Sequence, residues 1–263
     1  MNIQLYADYL LEAEKTKRPI EPLSATNRHL TVDEAYAIQL EQIRRKVDQG
    51  ATVVGKKIGL TSAVMQEMFQ VNEPDYGHLL NTMIAVDGET ISLNSLIQPK
   101  LEFEIAFVLK SDLKGTNITE KDVIQATDYI VPALEVIDSR IADWKITFED
   151  TVADNGSSAM AIIGGQPTKL ENVDLEHLGM VVSQNGEFLD CATGGAVMGN
   201  PIRAVAWLAN ALGKYDIGLH AGEIILSGAL SAAVPIQPGD TFTAEFAHIG
   251  SVSASFQRKE EKG

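Results

Sequence analysis

Three glutamates carry the first sign of chemistry. In Leu101-Glu102-Phe103-Glu104-Ile105-Ala106-Phe107-Val108-Leu109 every odd position is large and apolar, the period-2 signature of a strand with one face in the core. Side chains alternate along a strand, so Glu102 and Glu104 project together from the other face, their Cα atoms about 6.6–6.8 Å apart. Small Ala106 continues that face and leaves room. Two carboxylates within about 4 Å repel by roughly 4 kcal/mol at an effective dielectric of about 20, so such a pair needs a cation or a proton. The alternative is a pair of glutamates standing in water on the solvated face of an antiparallel sheet. Glu135 weighs against it, because the run Tyr129 to Ile137 around it is otherwise apolar on both faces and a lone buried carboxylate requires a partner. Three carboxylates with no thiolate cluster suit a hard ion, Mg2+ or Mn2+, at about 2.1 Å, with positions left for water or substrate. The five histidines, His29, His78, His177, His220 and His248, are scattered and read as surface or core residues rather than ligands.

Other residue groups could act beside such a centre. Gly55-Lys56-Lys57-Ile58-Gly59 ends an apolar strand, and alternation sends the two lysines to opposite faces, so one can point inward to fix an anion or move a proton. Consecutive lysines are usually solvated. Glu73-Pro74-Asp75-Tyr76-Gly77 has the chemistry of a turn in which Asp75 caps local backbone, and Asp154-Asn155-Gly156-Ser157-Ser158 reads as another turn. Ser227-Gly228 follows apolar Ile224-Ile225-Leu226, where a hydroxyl and exposed N–H groups could receive a carboxylate. Ser227 lacks the Gly-x-Ser-x-Gly elbow of serine hydrolases.

These groups must be held by regular elements. Thr31-Val-Asp-Glu34 is a capping box leading into Tyr36, Leu40, Ile43 and Val47, an amphipathic helix that ends at Gly50. An earlier helix runs through Leu5, Tyr6, Leu10 and Leu11 and is stopped by Pro19 and Pro22. After Gly50 short β-rich runs take over at 52–58, 101–109 and 129–137. Asn185-Gly186, set between Met180-Val181-Val182 and Glu187-Phe188-Leu189, signals a type I′ hairpin. Asn200 as cap, Pro201 in the first turn, Val205, Leu208 and Leu212, then Gly213, mark another helix. Late strands are expected at 223–226, 241–246 and 251–256, with a solvated charged tail from Arg258 to Lys262. Regular βαβ alternation is absent, so the expected class is α+β: a helical N-terminal segment over residues 1–75, then a mixed, mostly antiparallel β-rich catalytic core over 76–263, the two forming one continuous folding unit.

Composition limits the partners. With 263 residues, 45% of them hydrophobic, the chain can bury roughly three quarters of its unfolded surface. Twenty-one basic against 36 acidic residues give a formal net charge of -15, a field that repels phosphate backbones and anionic lipid. Neither nucleic acid nor membrane is an expected partner. An anionic substrate would feel the same repulsion, so its pocket must supply local compensation. Cys191 is the only cysteine, which rules out an internal disulfide. No signal-peptide pattern or span of about 20 apolar residues is present, and the expected location is cytoplasmic.

Gly55-Lys-Lys-Ile-Gly-Leu-Thr-Ser62, Pro74-Asp-Tyr-Gly77, Glu102-Phe-Glu104, Pro132-Ala-Leu-Glu135, Asp150-Thr-Val-Ala-Asp-Asn155 and Ser227-Gly228 together resemble the 2-keto-4-pentenoate hydratase and 4-oxalocrotonate decarboxylase family, in the family's order and nearly end to end. The resemblance implies the fold of the fumarylacetoacetate hydrolase C-terminal domain, a Mg2+ or Mn2+ site at Glu102, Glu104 and Glu135, a catalytic Lys57, and a homo-oligomer able to associate with a pathway enzyme. Gly156 stands where many relatives have alanine.

What the resemblance implies about activity is the chemistry of 2-oxo acids in meta-cleavage degradation of aromatic compounds. The cation chelates the 1-carboxylate and 2-oxo oxygen of the substrate and stabilises a dienolate. A hydratase adds water to 2-hydroxypenta-2,4-dienoate, giving 4-hydroxy-2-oxopentanoate, whereas a decarboxylase expels CO2 from 2-oxo-3-hexenedioate. Asp75 and the stretch Arg140-Ile-Ala-Asp-Trp-Lys145 resemble the hydratases. On that resemblance Lys57 handles protons or orients the substrate, Asp75 helps activate water and Ser227, with Gly228, binds the carboxylate. The competing class is a noncatalytic homologue that binds metal and 2-oxo acid without turnover.

Overall fold

The computed structural model describes residues 2–27 and 29–258. Its first helix, α1 (Ile3–Thr16), is capped by Asn2, whose side chain accepts from Leu5 N, and ends at left-handed Lys17, ahead of Pro19. A short α2 (Leu23–Thr26) leads to α3 (Val32–Asp48), which carries the full Thr31/Glu34 capping box. The buried face of α3 differs from the apolar stripe in its sequence. Ala35, Ile38, Gln39, Gln42 and Ile43 are inside, whereas Leu40 and Val47 are 38% and 42% exposed. The helix is turned so that two glutamines face inward: Gln39 Nε2 donates to Tyr76 O and Val152 O, and Gln42 Nε2 to Ala153 O. Buried carbonyls that need donors set the rotation.

The chain continues through β1 (Val53–Gly59), α4 (Ala63–Phe69), β2 (Asp75–Leu80), β3 (Ile84–Val86), β4 (Thr90–Ser92), β5 (Lys100–Leu109), α5 (Glu120–Ala126) and β6 (Thr127–Ile137). It then forms α6 (Phe148–Ala153), β7 (Ser158–Ile163), β8 (Gly179–Gln184), β9 (Glu187–Thr193), α7 (Pro201–Gly213), β10 (Ile224–Leu226), β11 (Val234–Pro235), β12 (Thr241–Phe246) and β13 (Gly250–Gln257). Asn185 and Gly186 both have positive φ, 55° and 84°, as a type I′ turn between β8 and β9 demands. Asn200 caps α7, its side chain accepting from Ile202 N. Of the charged tail, only Arg258 lies within the described residues; the rest lies outside them.

Among the described residues eight strands form a mixed sheet in the order β2-β1-β10-β5-β6-β7-β3, with β11 also on β5; five more form the sheet β4-β13-β12-β8-β9. β1/β10, β3/β7 and β4/β13 are parallel and the other pairs antiparallel. The large sheet starts at Val53, ahead of residue 76 where the sequence places the β-rich core, because β1 pairs on both sides, with β2 and β10.

The odd face of β5, Leu101, Phe103, Ile105 and Phe107, packs with Ile130 and Leu134 of β6 and with Phe242, Val252 and Phe256 of the second sheet. Truncating one such phenylalanine to alanine typically costs about 3–5 kcal/mol. The opposite face is also covered: Ala106, Val131, Ala133, Ala161 and Leu226 form a cluster with Leu79 and Leu80. This face carries the three glutamates and is not the solvated surface that an antiparallel sheet often presents. No helix among the described residues is long and apolar enough to cross a membrane.

Candidate active site

Strand register brings the glutamates together. Glu102 on β5 and Glu135 on β6 are direct Cα partners, Glu104 lies opposite Ala133, and Glu135 lies opposite Ala161 on β7. Cross-strand partners share a face with Cβ atoms about 4.5–5.5 Å apart, and alanines beside the glutamates leave space between them. One oxygen from each of Glu102, Glu104 and Glu135 lies within 4.8 Å of the others. The other edge of β5 is split: β10 pairs with Ala106 to Val108, and β11 with Lys100 and Leu101. The intervening loop passes Glu104, where Ser227 N donates to Ile105 O, Leu230 N to Phe103 O, and Gly228 N to Glu104 Oε2 at 2.6 Å. Gly228 has φ +112°, and a Cβ there would sit 2.4 Å from Thr61 Oγ1, so glycine alone fits.

The carboxylates are short of partners. Glu104 and Glu135 have no exposed surface, and Glu104 Oε1, Glu135 Oε1 and Oε2, and Asp75 Oδ1 are buried without a hydrogen bond. With Glu102 they face one buried ammonium, Lys57, whose Nζ is 3.5 Å from Glu135 Oε2. Burial raises all four carboxyl pKa values: Glu102 is pushed up to about 7, with Lys57 opposing the shift and Glu135 adding to it. Glu104 goes well above the usual carboxyl range because of burial, Glu135 and Glu102. Glu135 and Asp75 are raised by burial against the pull of Lys57. Burial alone would lower the Lys57 pKa, but Glu135, Asp75, Glu102 and Glu104 more than offset it and hold the ammonium charged. Orphaned, mutually repelling oxygens without a sulfur donor fit a hard divalent cation.

A pH dependence follows. Folded carboxyls that titrate above their ordinary range keep protons that the unfolded chain has lost, so metal-free stability falls as pH rises from about 4.5 through about 7. Divalent-cation binding must expel those protons, and its affinity rises over the same window. Calorimetry in buffers of different ionisation enthalpy should show proton release at pH 6, with the share from Glu102 shrinking above pH 7. Release of no protons at pH 6 would contradict this electrostatic picture.

Lys57 and Asp75 complete the site. Both lysines of the Gly-Lys-Lys-Ile-Gly stretch are buried, a correction to the expectation that one stands in water. Lys57 joins the glutamates, while Lys56, on the opposite face, donates to Glu223 Oε1 and Oε2 at 2.7 and 2.8 Å. Lys57 Cα is level with Leu226, Ala106 and, across β5, Val131, and its side chain crosses the sheet face to bring Nζ 3.5 Å from Glu135 Oε2. Asp75 is the first residue of β2, 2% exposed, and not the cap of a solvent loop. It pairs with Gly59, where a Cβ would sit 2.1 Å from Asp75 Oδ1 and 3.2 Å from Lys57 Nζ. Asp75 and Lys57 thus crowd the space that glycine leaves.

The turn at 155–157 is buried too. Asn155, Gly156 and Ser157 all have φ near +57°, at 58°, 59° and 55°, and the α-carbon of Gly156 faces the Lys57 stem. A buried ion pair fixes the turn: Arg140 Nε donates to Asp154 Oδ1 at 2.5 Å, its other nitrogens donate to Asp138 O, Ser158 O and Asp154 O, and Asp154 Oδ2 accepts from Ser139 Oγ and Ser157 Oγ. Sequence reasoning noticed Arg140 and Asp154 separately but not their pairing. It also missed Gly59, although a second glycine closing a short strand is a signal for close backbone approach. Ser227 is fully buried, and its hydroxyl donates to Ile105 O at 2.9 Å. His78 stays neutral, pushed down to about 3 by burial and Lys56. No histidine joins the carboxylate cluster among the described residues.

Residues 44–257 match the fumarylacetoacetate (FAA) hydrolase C-terminal family. The 2-keto-4-pentenoate hydratase of Paraburkholderia xenovorans (strain LB400) is 46% identical over 257 residues, covering 98% of this chain and 96% of that protein. The 2-hydroxyhexa-2,4-dienoate hydratase of Comamonas testosteroni is 44% identical over 256 residues, 97% of each chain. Among solved structures, the 4-oxalocrotonate decarboxylase from Pseudomonas putida G7, complexed with magnesium and adipate, is similar at a TM-score of 0.94 and 40% identity over 97% of both chains. With relatives this close along nearly the whole length, the chain belongs to the fumarylacetoacetate hydrolase C-terminal family and, within it, to the group of the 2-keto-4-pentenoate hydratases.

Proposed function

We propose that this chain is a divalent-metal-dependent hydro-lyase that adds water to 2-hydroxypenta-2,4-dienoate, or a close homologue, to give a 4-hydroxy-2-oxo acid. The observation that carries the reading is the convergence of Glu102, Glu104 and Glu135 within 4.8 Å beside buried Lys57 and Asp75. The near full-length likeness to hydratases supports it. Glu102, Glu104 and Glu135 would hold Mg2+ or Mn2+, which when bound supplies Lewis-acid stabilisation of negative charge on the 2-oxo oxygen.

The chain's own groups divide the rest of the work. Lys57, kept cationic by its carboxylate neighbours, orients the anionic substrate and holds a proton for the carbon skeleton. Asp75 Oδ1, buried without a donor, accepts a proton from the water that adds at C4, while Thr151 Oγ1 approaches Oδ2 at 3.5 Å. The covered face of the large sheet keeps bulk water from the reacting carbons. Gly228 gives its N–H to Glu104 and so orients a metal-binding carboxylate; Ser227 reaches a substrate carboxylate by turning its hydroxyl away from Ile105 O.

A decarboxylase reading is favoured by one observation, the TM-score of 0.94 to the 4-oxalocrotonate decarboxylase. The two separate cleanly. Wild-type protein with Mg2+ should bleach the ultraviolet absorbance of the conjugated dienol and release no CO2 from 2-oxo-3-hexenedioate. Asp75→Asn, which removes the proton acceptor but keeps the size, should slow hydration about 10^2–10^4-fold with Mg2+ affinity within a few fold of wild type. CO2 release at a rate matching or exceeding hydration would reverse the assignment. Ligand binding with no turnover of any chain length would make the protein a binding homologue.

A further inference from the structure

One residue on the carboxylate face has no role in this scheme. Lys100 precedes Glu102 by two positions in β5, so both side chains leave the strand on the same side. Burial relaxes in that direction: Ala106 and Glu104 are fully buried, whereas Glu102 and Lys100 are partly exposed. Along β5 the carboxylate face therefore becomes exposed towards the Lys100 end, where an anion would meet Lys100 beside Glu102.

The position of this lysine is built. Lys100 Nζ lies 4.2 Å from the centroid of the Trp144 ring, close enough for attraction by the indole face. Trp144 belongs to the Arg140-to-Lys145 stretch and is fixed in turn: Trp144 Nε1 donates to Gln98 O at 3.1 Å, and Gln98 Nε2 donates to Ser139 O and Ile141 O at 2.9 and 2.5 Å. Asp143 and Trp144 both hold left-handed backbone, φ 57° and 56°, conformations that non-glycine residues keep only where their surroundings enforce them.

The other donors around the centre are engaged. Lys57 pairs with Glu135, Arg140 with Asp154 and Lys56 with Glu223, while Ser227 and Gly228 donate to Ile105 O and Glu104. Among the described residues Lys100 forms no ion pair, and Glu102 is the carboxylate that acts on it electrostatically. A chain of formal charge -15 that admits a carboxylate to a cluster of carboxylates needs a cation at the entrance.

From this geometry we propose that Lys100, held over Trp144, is a substrate-binding residue that receives the carboxylate of the 2-oxo acid at the mouth of the carboxylate centre. The proposal rests on the 2-oxo-acid reading of the site. Its test uses oxalate, which carries only the chelating end of such a substrate, so any effect reports on that end and not on a distal group. Calorimetric titration of oxalate into Mg2+-loaded protein at low salt should give measurable binding for wild type and about 10-fold weaker binding for Lys100→Met, which keeps the apolar stem over Trp144. Lys100→Arg should restore most of the affinity. Mg2+ binding without oxalate should be unchanged or tighter in Lys100→Met, because a positive charge next to Glu102 has gone; a merely structural role would weaken both ligands together. Oxalate binding equal to wild type, or joint loss of Mg2+ and oxalate, overturns the proposal. Failure of wild-type Mg2+-loaded protein to bind oxalate at all would instead remove the reading on which it stands.

Discussion

Glu104→Gln should abolish divalent-cation binding and turnover while making the metal-free protein more stable. The opposite signs have one cause. Glu104 is fully buried, its Oε1 has no partner, and its neighbours Glu135 and Glu102 push its pKa well above the usual range. Glutamine is nearly the same size, and its amide oxygen can keep the hydrogen bond from Gly228 N. The new amide can donate to the orphaned oxygens of Glu135 at any pH, whereas Glu104 must either hold a proton or repel Glu135 and Glu102. The metal-free melting temperature should therefore rise, by about 2–4 °C for each kcal/mol recovered in a chain of this size. Cation affinity should fall by more than the roughly 10–100-fold that loss of a residue behind a metal ligand typically costs. Titration of Mg2+ by calorimetry, with thermal melts with and without the ion, reads both effects. Unchanged Mg2+ affinity together with unchanged turnover would mean that the three carboxylates are not the working centre.

Lys57→Met separates proton handling from metal holding. Its ammonium is 3.5 Å from Glu135 Oε2 and is the buried cation facing Glu102, Glu104, Glu135 and Asp75. Methionine keeps most of the stem that packs by Gly156 and deletes the charge. Breaking a buried pair by removing one partner typically costs about 3–5 kcal/mol, so the metal-free variant should melt well below wild type. Added Mg2+ takes over the compensation of the carboxylates and should recover more stability in the variant than in wild type. Turnover in saturating Mg2+ should fall about 10^2–10^4-fold, the usual range for a proton-transfer group, with Mg2+ affinity no weaker than before. Retention of wild-type kcat in the Mg2+-loaded variant would reduce Lys57 to a structural counter-ion.

The sequence by itself determined what depends on neighbours within a few residues. The Thr31/Glu34 box, the Asn185-Gly186 turn, the Asn200-Pro201 start of α7 and the alternation that puts Glu102 and Glu104 on one face are local patterns, and local sterics and hydrogen bonds are sufficient to impose them. Resemblance across many short motifs added the family. Tertiary structure decided what depends on coverage and register. Whether a strand face is wet depends on the element lying over it, so of two consecutive lysines, one of them expected in water, both are buried, each against a carboxylate far away in the chain. Asp75 reads as a turn residue from its proline and glycine neighbours, yet pairing of β2 with β1 seals it beside Gly59. The inward face of α3 follows carbonyls of β2 and α6 that call for Gln39 and Gln42, not the apolar stripe. Glu135 meets Glu102 only because β5 and β6 pair in one register, and Glu104 finds a backbone donor only because β10 and β11 leave a gap between them along β5. Alternation fixes the side to which a carboxylate points. Only the packing of residues far apart in the chain removes the water around it, and the loss of that water gives the glutamates their need for a cation.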